Sequence, residues 1–281
     1  MALRFPVMAR FATPEDEWRA YLDGTHPSIH LGRRTFRHIP SSPRCRMCYV
    51  PFGPPGGALF RRLGFTRWEK NPNVCMRCLK DLRDHDVMGA EVEISFLFAD
   101  VRRSSEIARE LGTMEFTHLM QRFYTTATQV LVDNDGLIDK FVGDEVVGFF
   151  MPFMTGLDHA GAAIRAAQEL LHATGHEDAA EPWLPLAAGV NTGTAFVGMV
   201  SKGEASEFTA FGDPINIAAH VASQAGSGEI LVTDAAAMAA GLEIGSLERR
   251  SLSLKGHQAD VVVVPVTPVS SDATGEGSAN R

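Results

Sequence analysis

The chain has 281 residues, 45% hydrophobic and 21% charged, with 26 Lys plus Arg against 34 Asp plus Glu and a net charge of −8. This is a globular composition, and it excludes a wholly disordered chain, a collagen-like chain and a coiled-coil rod. No apolar run approaches the ~18 residues of a membrane span. The start, Met1 to Thr13, carries Arg4 and Arg10 without a continuous apolar core, so the expected compartment is the cytoplasm, where thiols stay reduced.

The charge changes sign along the chain. Residues 1–90 hold 15 Lys plus Arg against 8 Asp plus Glu, and residues 91–281 hold 11 against 26. Two units are predicted: a basic module over 1–90 and a main domain over 91–267, followed by a disordered tail over 268–281 rich in Ser, Asp, Gly and Thr. Docking of the basic module onto the acidic domain is favoured over contact with nucleic acid.

All four cysteines lie in the first unit, as Cys45-Arg-Met-Cys48 and Cys75-Met-Arg-Cys78. In a reducing compartment two such pairs signal a metal site. Four thiolates suit tetrahedral Zn²⁺, and they fill its coordination sphere, so the site is expected to be structural. An iron–sulfur cluster also takes four cysteines, and redox or unligated cysteines stay open. The first pair is placed in a loop, and the second leads into a helix at Leu79 to Arg83. A knuckle followed by a helix start resembles a treble-clef zinc finger.

Beyond residue 91 the pattern becomes regular. Val92, Ile94, Phe96 and Phe98 alternate along a strand that stops at Asp100. Phe116, Leu119, Met120, Phe123, Ala127, Val130 and Leu131 recur at helical spacing. Leu137 to Val142 and Glu145 to Phe150 form a hairpin around Gly143-Asp144. Ala160 to Thr174 reads as a helix. Leu186 to Val190 and Ala195 to Val200 read as two strands around Asn191-Thr-Gly193. A strand at Phe208 to Phe211, a helix from Pro214 to Ser223, and strands at Ile230 to Thr233 and Val261 to Val266 complete the list. The predicted fold class is α+β, a ferredoxin-like βααββαβ plan with a mainly antiparallel sheet.

Two carboxylates stand where the backbone exposes them: Asp100 at a strand end and Asp144 at a hairpin tip. If the first strand lies beside the hairpin, the two meet over one sheet edge. Paired carboxylates without neighbouring Cys or His suit hard cations such as Mg²⁺. Alone, Asp144 also reads as a turn former and Asp100 as a helix cap.

Phe98-Ala-Asp-Val-Arg102, Asp139-Lys-Phe-Val-Gly-Asp144, Gly189-Val-Asn-Thr-Gly193 and Phe208-Thr-Ala-Phe-Gly-Asp-Pro-Ile-Asn-Ile-Ala-Ala219 stand in an order and at spacings that resemble the class III nucleotidyl cyclases, over roughly residues 92–267. The resemblance implies attack of the ribose 3′-oxygen of a nucleoside triphosphate on its own α-phosphate, giving a 3′,5′-cyclic nucleotide and pyrophosphate. It implies two Mg²⁺ or Mn²⁺ ions on Asp100, Asp144 and the carbonyl of Val101, and a base read by Lys140 and Thr209. That pairing matches adenine, so the implied substrate is ATP and the product cyclic AMP. It also implies a homodimer in which each site takes its metal carboxylates from one chain and its base readers from the other. Ser104 and Ser105 are implied phosphate contacts, and Lys255, in Leu254-Lys-Gly256, an implied triphosphate contact.

Two positions depart from the family pattern. Asn216 matches the ribose-steering Asn, but His220 stands where the family places an Arg that neutralises the transition state. Arg103 replaces a Gly in the triphosphate loop; it either folds outward or crowds the loop. These departures keep a second reading open, a cyclase-like domain that binds nucleotide and turns over poorly. A third reading is a nucleic-acid or partner-binding finger fused to a degenerate domain. An imidazole has fewer donors than a guanidinium and is charged only below about pH 6.5, and loss of such a donor commonly costs about 10²–10³ in rate. Turnover is therefore expected to be slow or to depend on pH. Rates from pH 6 to 8, compared between the wild type and His220→Arg, test this: the variant should be faster and less pH-dependent, and an unchanged rate would mark the position as idle.

Overall fold

Strand β1 (Gly89–Val101) is the axis of the computed structural model, which describes residues 11–69, 71–83, 89–176, 181–200, 207–243, 248–253 and 260–267. Its alternating apolar residues predict one buried face, yet every residue from Ile94 to Ala99 is buried. Ser95, Leu97 and Ala99 are covered as well because β1 is an inner strand, flanked on both sides.

The predicted elements of the main domain appear in order. Helices α5 (Ser104–Leu111) and α6 (Thr113–Asp133) lead to the hairpin of β2 (Leu137–Val142) and β3 (Glu145–Phe150). Then come α7 (Pro152–Thr155), the Ala-rich α8 (His159–Ala173), β4 (Leu186–Val200), β5 (Glu207–Phe211), α9 (Asp213–Gln224), β6 (Ile230–Thr233), α10 (Asp234–Ala239), β7 (Arg250–Leu252) and β8 (Val261–Val266). Helices α7 and α10 and strand β7, set between the others, are not among the predicted elements. The sheet runs β2-β3-β1-β4-β6-β8-β7, with β5 paired to β4. The pairs β2–β3, β4–β5, β6–β8 and β7–β8 are antiparallel, and β4–β6 is parallel. This α+β plan agrees with the sequence-based fold class.

One expectation needs correction. The two strands read on either side of Asn191-Thr-Gly193 are a single strand, β4. The Asn191 side chain does not close a turn on its own backbone. Its Nδ2 donates to the Pro214 carbonyl at 2.8 Å, and its Oδ1 accepts from Thr233 Oγ1 at 2.7 Å. Thr192 Oγ1 meets Ser95 Oγ at 2.6 Å, tying β4 to β1. With its polar groups satisfied across the sheet, the segment stays extended.

Two compact units share β1 and β4. The first comprises residues 1–94, 150–159 and 194–212, and the second 95–149, 160–193 and 213–281. In the first, α1 (Pro14–Leu22), α2 (Pro27–Phe36), α3 (Gly57–Arg62) and α4 (Met76–Arg83) accompany α7 and β5. Helix α1 starts on a capping box, with Thr13 and Asp16 bonded reciprocally and Pro14 in the first turn, and it buries Trp18, Tyr21 and Leu22. In the second unit, Phe96 and Phe149 pack edge to face at 5.4 Å, and Ala187, Val221, Ala225, Leu231 and Val263 form a core cluster under α9. None of the described helices is long and apolar enough to cross a membrane. The expected tail over 268–281 lies outside the described residues.

Helix α9 can lie this close to β4 because position 189 is glycine. A Cβ there would sit 2.7 Å from the Ala222 Cα and 2.9 Å from the Ala218 carbonyl. Gly189→Ala must push the helix off the sheet. Overpacking of this kind costs about 1–3 kcal/mol, so the urea midpoint should fall with an unchanged slope. An unaltered midpoint would show that the contact is soft.

Candidate functional site

The site forms where β1 ends beside the β2–β3 turn. Val142 pairs with Glu145 across a two-residue turn, and Gly143 takes φ +61°, as a hairpin with glycine first requires. The Tyr124 hydroxyl from α6 donates to the Gly143 carbonyl, and its ring packs 4.6 Å from that of Phe141. The turn is therefore held in place by a neighbouring helix. The Val101 amide donates to the Asp144 carbonyl at 3.1 Å. That bond brings the two sequence-predicted carboxylates, Asp100 and Asp144, together at one sheet edge.

The electrostatics bear the mark of this proximity. Burial pushes the Asp100 carboxyl above the usual carboxylate range; Arg102 draws it down and the Asp144 charge pushes it up. Glu145 is affected most. Burial first, then the Asp100 and Asp144 charges, raise its pKa from 4.5 to about 7. Three carboxylates thus share one region with a single guanidinium facing them. Their hard oxygens are the donor type that Mg²⁺ and Mn²⁺ take, and their mutual repulsion is the kind a cation relieves, so the residues present fit such ions.

Arg102 has a role that the sequence reading did not give it. Its Nη2 lies 3.3 Å from Asp100 Oδ2 and donates to the Ala222 carbonyl at 2.6 Å, while Nη1 reaches the Ser223 carbonyl at 3.4 Å. One guanidinium thus clamps the carboxylate end of β1 to the C-terminal turn of α9, where free carbonyls attract positive charge. Asn216, exposed, and His220, half-buried, stand four residues apart on that helix and so share a face. Only the long-range contacts, some 120 residues apart in sequence, reveal the clamp.

Arg103 resolves one of the expected alternatives. Its backbone is left-handed, φ +58° and ψ +26°, which explains why glycine is at ease in such a position. The side chain is 71% exposed and leaves the loop outward to Glu106, Nε to Oε2 at 2.6 Å. Ser104 and Ser105 follow as the first two residues of α5.

Lys140 lies on β2, half-exposed, with its Nζ 3.0 Å from Asp139 Oδ2. Asp139 is the extra residue of a β-bulge between Ile138 and Lys140; it is buried, and neither of its oxygens accepts a hydrogen bond. Sequence reasoning passed over it. Thr209 belongs to the other unit, where it is buried on β5 opposite Gly198. Lys255 lies outside the described residues. The four cysteines meet in the first unit: Cys45, Cys48, Cys75 and Cys78 are buried, with their sulfurs within 4.8 Å of one another. Among the described residues no other group of three or more His, Cys, Asp or Glu side chains is drawn so tightly together.

The raised Glu145 pKa has a consequence for stability. Between about pH 4.5 and 7 the folded chain holds a proton that the unfolded chain has lost, so stability falls as the pH rises through that window. With divalent ions removed by a chelator, Glu145→Gln should make that fall shallower. An identical pH–stability slope in the variant would contradict a Glu145 carboxyl raised by burial and its acidic neighbours.

Comparison with known proteins matches the Adenylate and Guanylate cyclase catalytic domain family over residues 87–264. Adenylate cyclase 1 of Rhizobium meliloti (strain 1021) is 28% identical over 134 residues, 46% of this chain and 20% of that protein. The terminal-differentiation specific adenylate cyclase of Dictyostelium discoideum is 25% identical over 183 residues, 62% of this chain and 8% of that protein. The chain therefore spans a fifth or less of these relatives. Among solved structures, the guanylyl cyclase Cya2 superposes with a TM-score of 0.59 at 23% identity, covering 67% of this chain and 98% of that one. The adenylyl cyclase CyaB from P. aeruginosa gives 0.56 at 24% identity, covering 66% and 99%. At these identities the structural likeness shows the fold, and the family match over most of β1 to β8 does the rest: the chain belongs to the adenylate and guanylate cyclase catalytic domain family.

Proposed function

We propose that the chain is an adenylate cyclase of the class III type, converting ATP to 3′,5′-cyclic AMP and pyrophosphate in the cytoplasm as part of intracellular signalling. The observation that carries this reading is the juxtaposition of Asp100 and Asp144 through the Val101 amide. In the reaction the ribose 3′-oxygen forms a bond to the α-phosphorus, the bond to the pyrophosphate oxygen breaks, and the 3′-hydroxyl proton leaves to solvent. Two Mg²⁺ or Mn²⁺ ions, when bound, supply charge neutralisation for the attacking oxygen and the triphosphate. The chain's own residues supply position.

Asp100, Asp144 and the Val101 carbonyl would hold the ions. Ser104 and Ser105, at the start of α5, face the phosphates, with Lys255 as a further contact. Lys140, held beside the buried Asp139 carboxylate, reads the adenine ring nitrogen, and Thr209 accepts from the 6-amino group. Asn216 steers the ribose. His220 stands at the position that meets the developing phosphate charge, from a helix fixed to Asp100 by Arg102. Lys140 and Thr209 serve a site whose carboxylates come from a second copy, which makes the working species a homodimer with two equivalent sites. In sequence terms, residues 91–267 form the catalytic domain and residues 1–90 the module that precedes it.

A second reading, a domain that binds nucleotide and turns over weakly, is favoured by His220 alone. The two separate in one experiment. Purified protein with Mn²⁺ is given ATP or GTP, and cyclic nucleotide is measured beside a thermal shift. Cyclic AMP should form in excess over cyclic GMP, and Asp144→Asn should lower the rate by at least about 10²-fold, as expected when transition-state charge stabilisation is lost. A nucleotide-dependent thermal shift without product supports the second reading. Cyclic GMP in excess overturns the adenine assignment.

A further inference from the structure

We infer that Cys45, Cys48, Cys75 and Cys78 hold one tetrahedral zinc ion, and that Arg33 ties this ion site to helix α7. The inference does not rest on the proposed reaction.

The sulfur geometry separates the alternatives that the sequence leaves open. Cys45 Sγ lies 4.0 Å from Cys78 Sγ, and Cys48 Sγ lies 3.8 Å from Cys75 Sγ. A disulfide requires about 2.05 Å, so these are not disulfides. Four thiolates at about 2.3 Å from one tetrahedral ion sit at about 3.8 Å from each other. These two distances are close to that edge, and all six fall within 4.8 Å. An iron–sulfur cluster distributes its four thiolates over several irons, which spreads them wider than a single ion does. The site is shaped for one ion.

The surrounding backbone supports the thiolates. The Cys75 amide donates to Cys45 Sγ at 3.3 Å and the Cys78 amide to Cys75 Sγ at 3.4 Å. Such bonds delocalise the charge of a thiolate and orient it. The two knuckles are also joined directly, by the Arg46 amide donating to the Asn73 carbonyl at 2.8 Å. Tyr49, just after the first knuckle, takes φ +63°, a left-handed turn back towards Cys45, whose carbonyl accepts the Tyr49 amide at 2.9 Å.

Helix α2 reads this knuckle closely. A Cβ at Gly32 would lie 3.0 Å from the Cys48 Cβ and 3.1 Å from its carbonyl oxygen. One residue on, Arg33 spans three carbonyls. Its Nε donates to Met47 at 2.9 Å, and its Nη2 donates to Arg46 and to Phe153, each at 3.0 Å. Met47 and Arg46 lie between Cys45 and Cys48, inside the metal loop. Phe153 lies in α7, which follows β3. A guanidinium has the fork for three carbonyls at once; a lysine does not. Loss of the ion frees the loop that presents two of those carbonyls, and α7 loses its brace.

Metal is measured by mass spectrometry on the whole 281-residue chain, and backbone exchange of the amides of residues 153–156 by hydrogen–deuterium exchange. One zinc per chain is expected, falling below about one-tenth in Cys45→Ser/Cys78→Ser. Stripping the zinc should speed exchange at 153–156. Arg33→Gln should keep the zinc yet show the same faster exchange. Reconstitution of stripped wild type with Co²⁺ alone should give the intense visible absorption of a tetrahedral tetrathiolate, which keeps the test valid if the serine variant fails to fold. Inorganic sulfide with iron, less than a tenth of an equivalent of any metal in fresh protein, or only weak Co²⁺ absorption would overturn the site. Unchanged exchange in Arg33→Gln would overturn the link to α7.

Discussion

Two like charges held side by side are the constraint around which the second unit is built. The chain does not let Asp100 and Asp144 swing away from each other, because each is fixed by backbone. One ends an inner strand; the other sits in a glycine-led hairpin turn whose carbonyl accepts the Val101 amide and whose glycine carbonyl is held by Tyr124. Burial first, and the neighbouring carboxylates after it, push the Asp100 and Glu145 carboxyls up in pKa, Glu145 the further. A fold that merely needed stability would place neutral or opposite groups there. One that keeps a crowded acidic edge against its own electrostatics is arranged for a cation.

The same edge organises α9. Arg102 partly offsets the acidic charge and in doing so reaches the last carbonyls of that helix, while Asn191 holds its first turn through Pro214. Gly189 lets the middle of the helix settle on β4. The helix is thus fixed at its start, along its length and at its end. Asn216 and His220 inherit a definite position from three contacts, none of which they make themselves. Placement of this kind is what a reaction driven by positioning requires, because a shift of about 1 Å can cost about 10²-fold.

What the sequence discloses follows from how local each signal is. The strand end at Asp100 and the hairpin at Gly143-Asp144 are written in residues that touch in sequence, and both were readable. The continuity of β4 was not, because Asn-Thr-Gly is turn chemistry unless distant partners claim its polar groups, and Pro214 and Thr233 do. Arg102 and Asp139 stand inside motifs that were recognised, yet the role of the first depends on helix carbonyls far along the chain and that of the second on a bulge that buries it. Helix α1 was missed despite an available signal: Thr13-Pro-Glu-Asp16 is a capping box with proline in the first turn. The two residues proposed to read the base show the reverse case. Lys140 and Thr209 have identities legible by resemblance alone, and nothing local in either strand marks them.

The first unit poses a different physical problem. Its helices α1 to α4 have between six and ten residues, shorter than the ~12–15 at which isolated helices become even marginal in water. Caps and a small core of Trp18, Leu22, Ile29 and Phe36 help, but small modules commonly need a further cross-link. Four buried thiols drawn to within 4.8 Å are such a cross-link only if something neutral or cationic lies between them, because sulfurs packed there as thiolates would repel one another. The ion inferred above would convert that repulsion into attraction and fix Cys45 relative to Cys78, 33 residues on. Arg33 then completes the chain of force. It donates to two carbonyls of the first knuckle and, from the Nη2 that serves one of them, to Phe153. On the inferred ion site, such a module is rigid when its thiols are ligated and loose when they are not, and α7, held through Arg33, carries the difference.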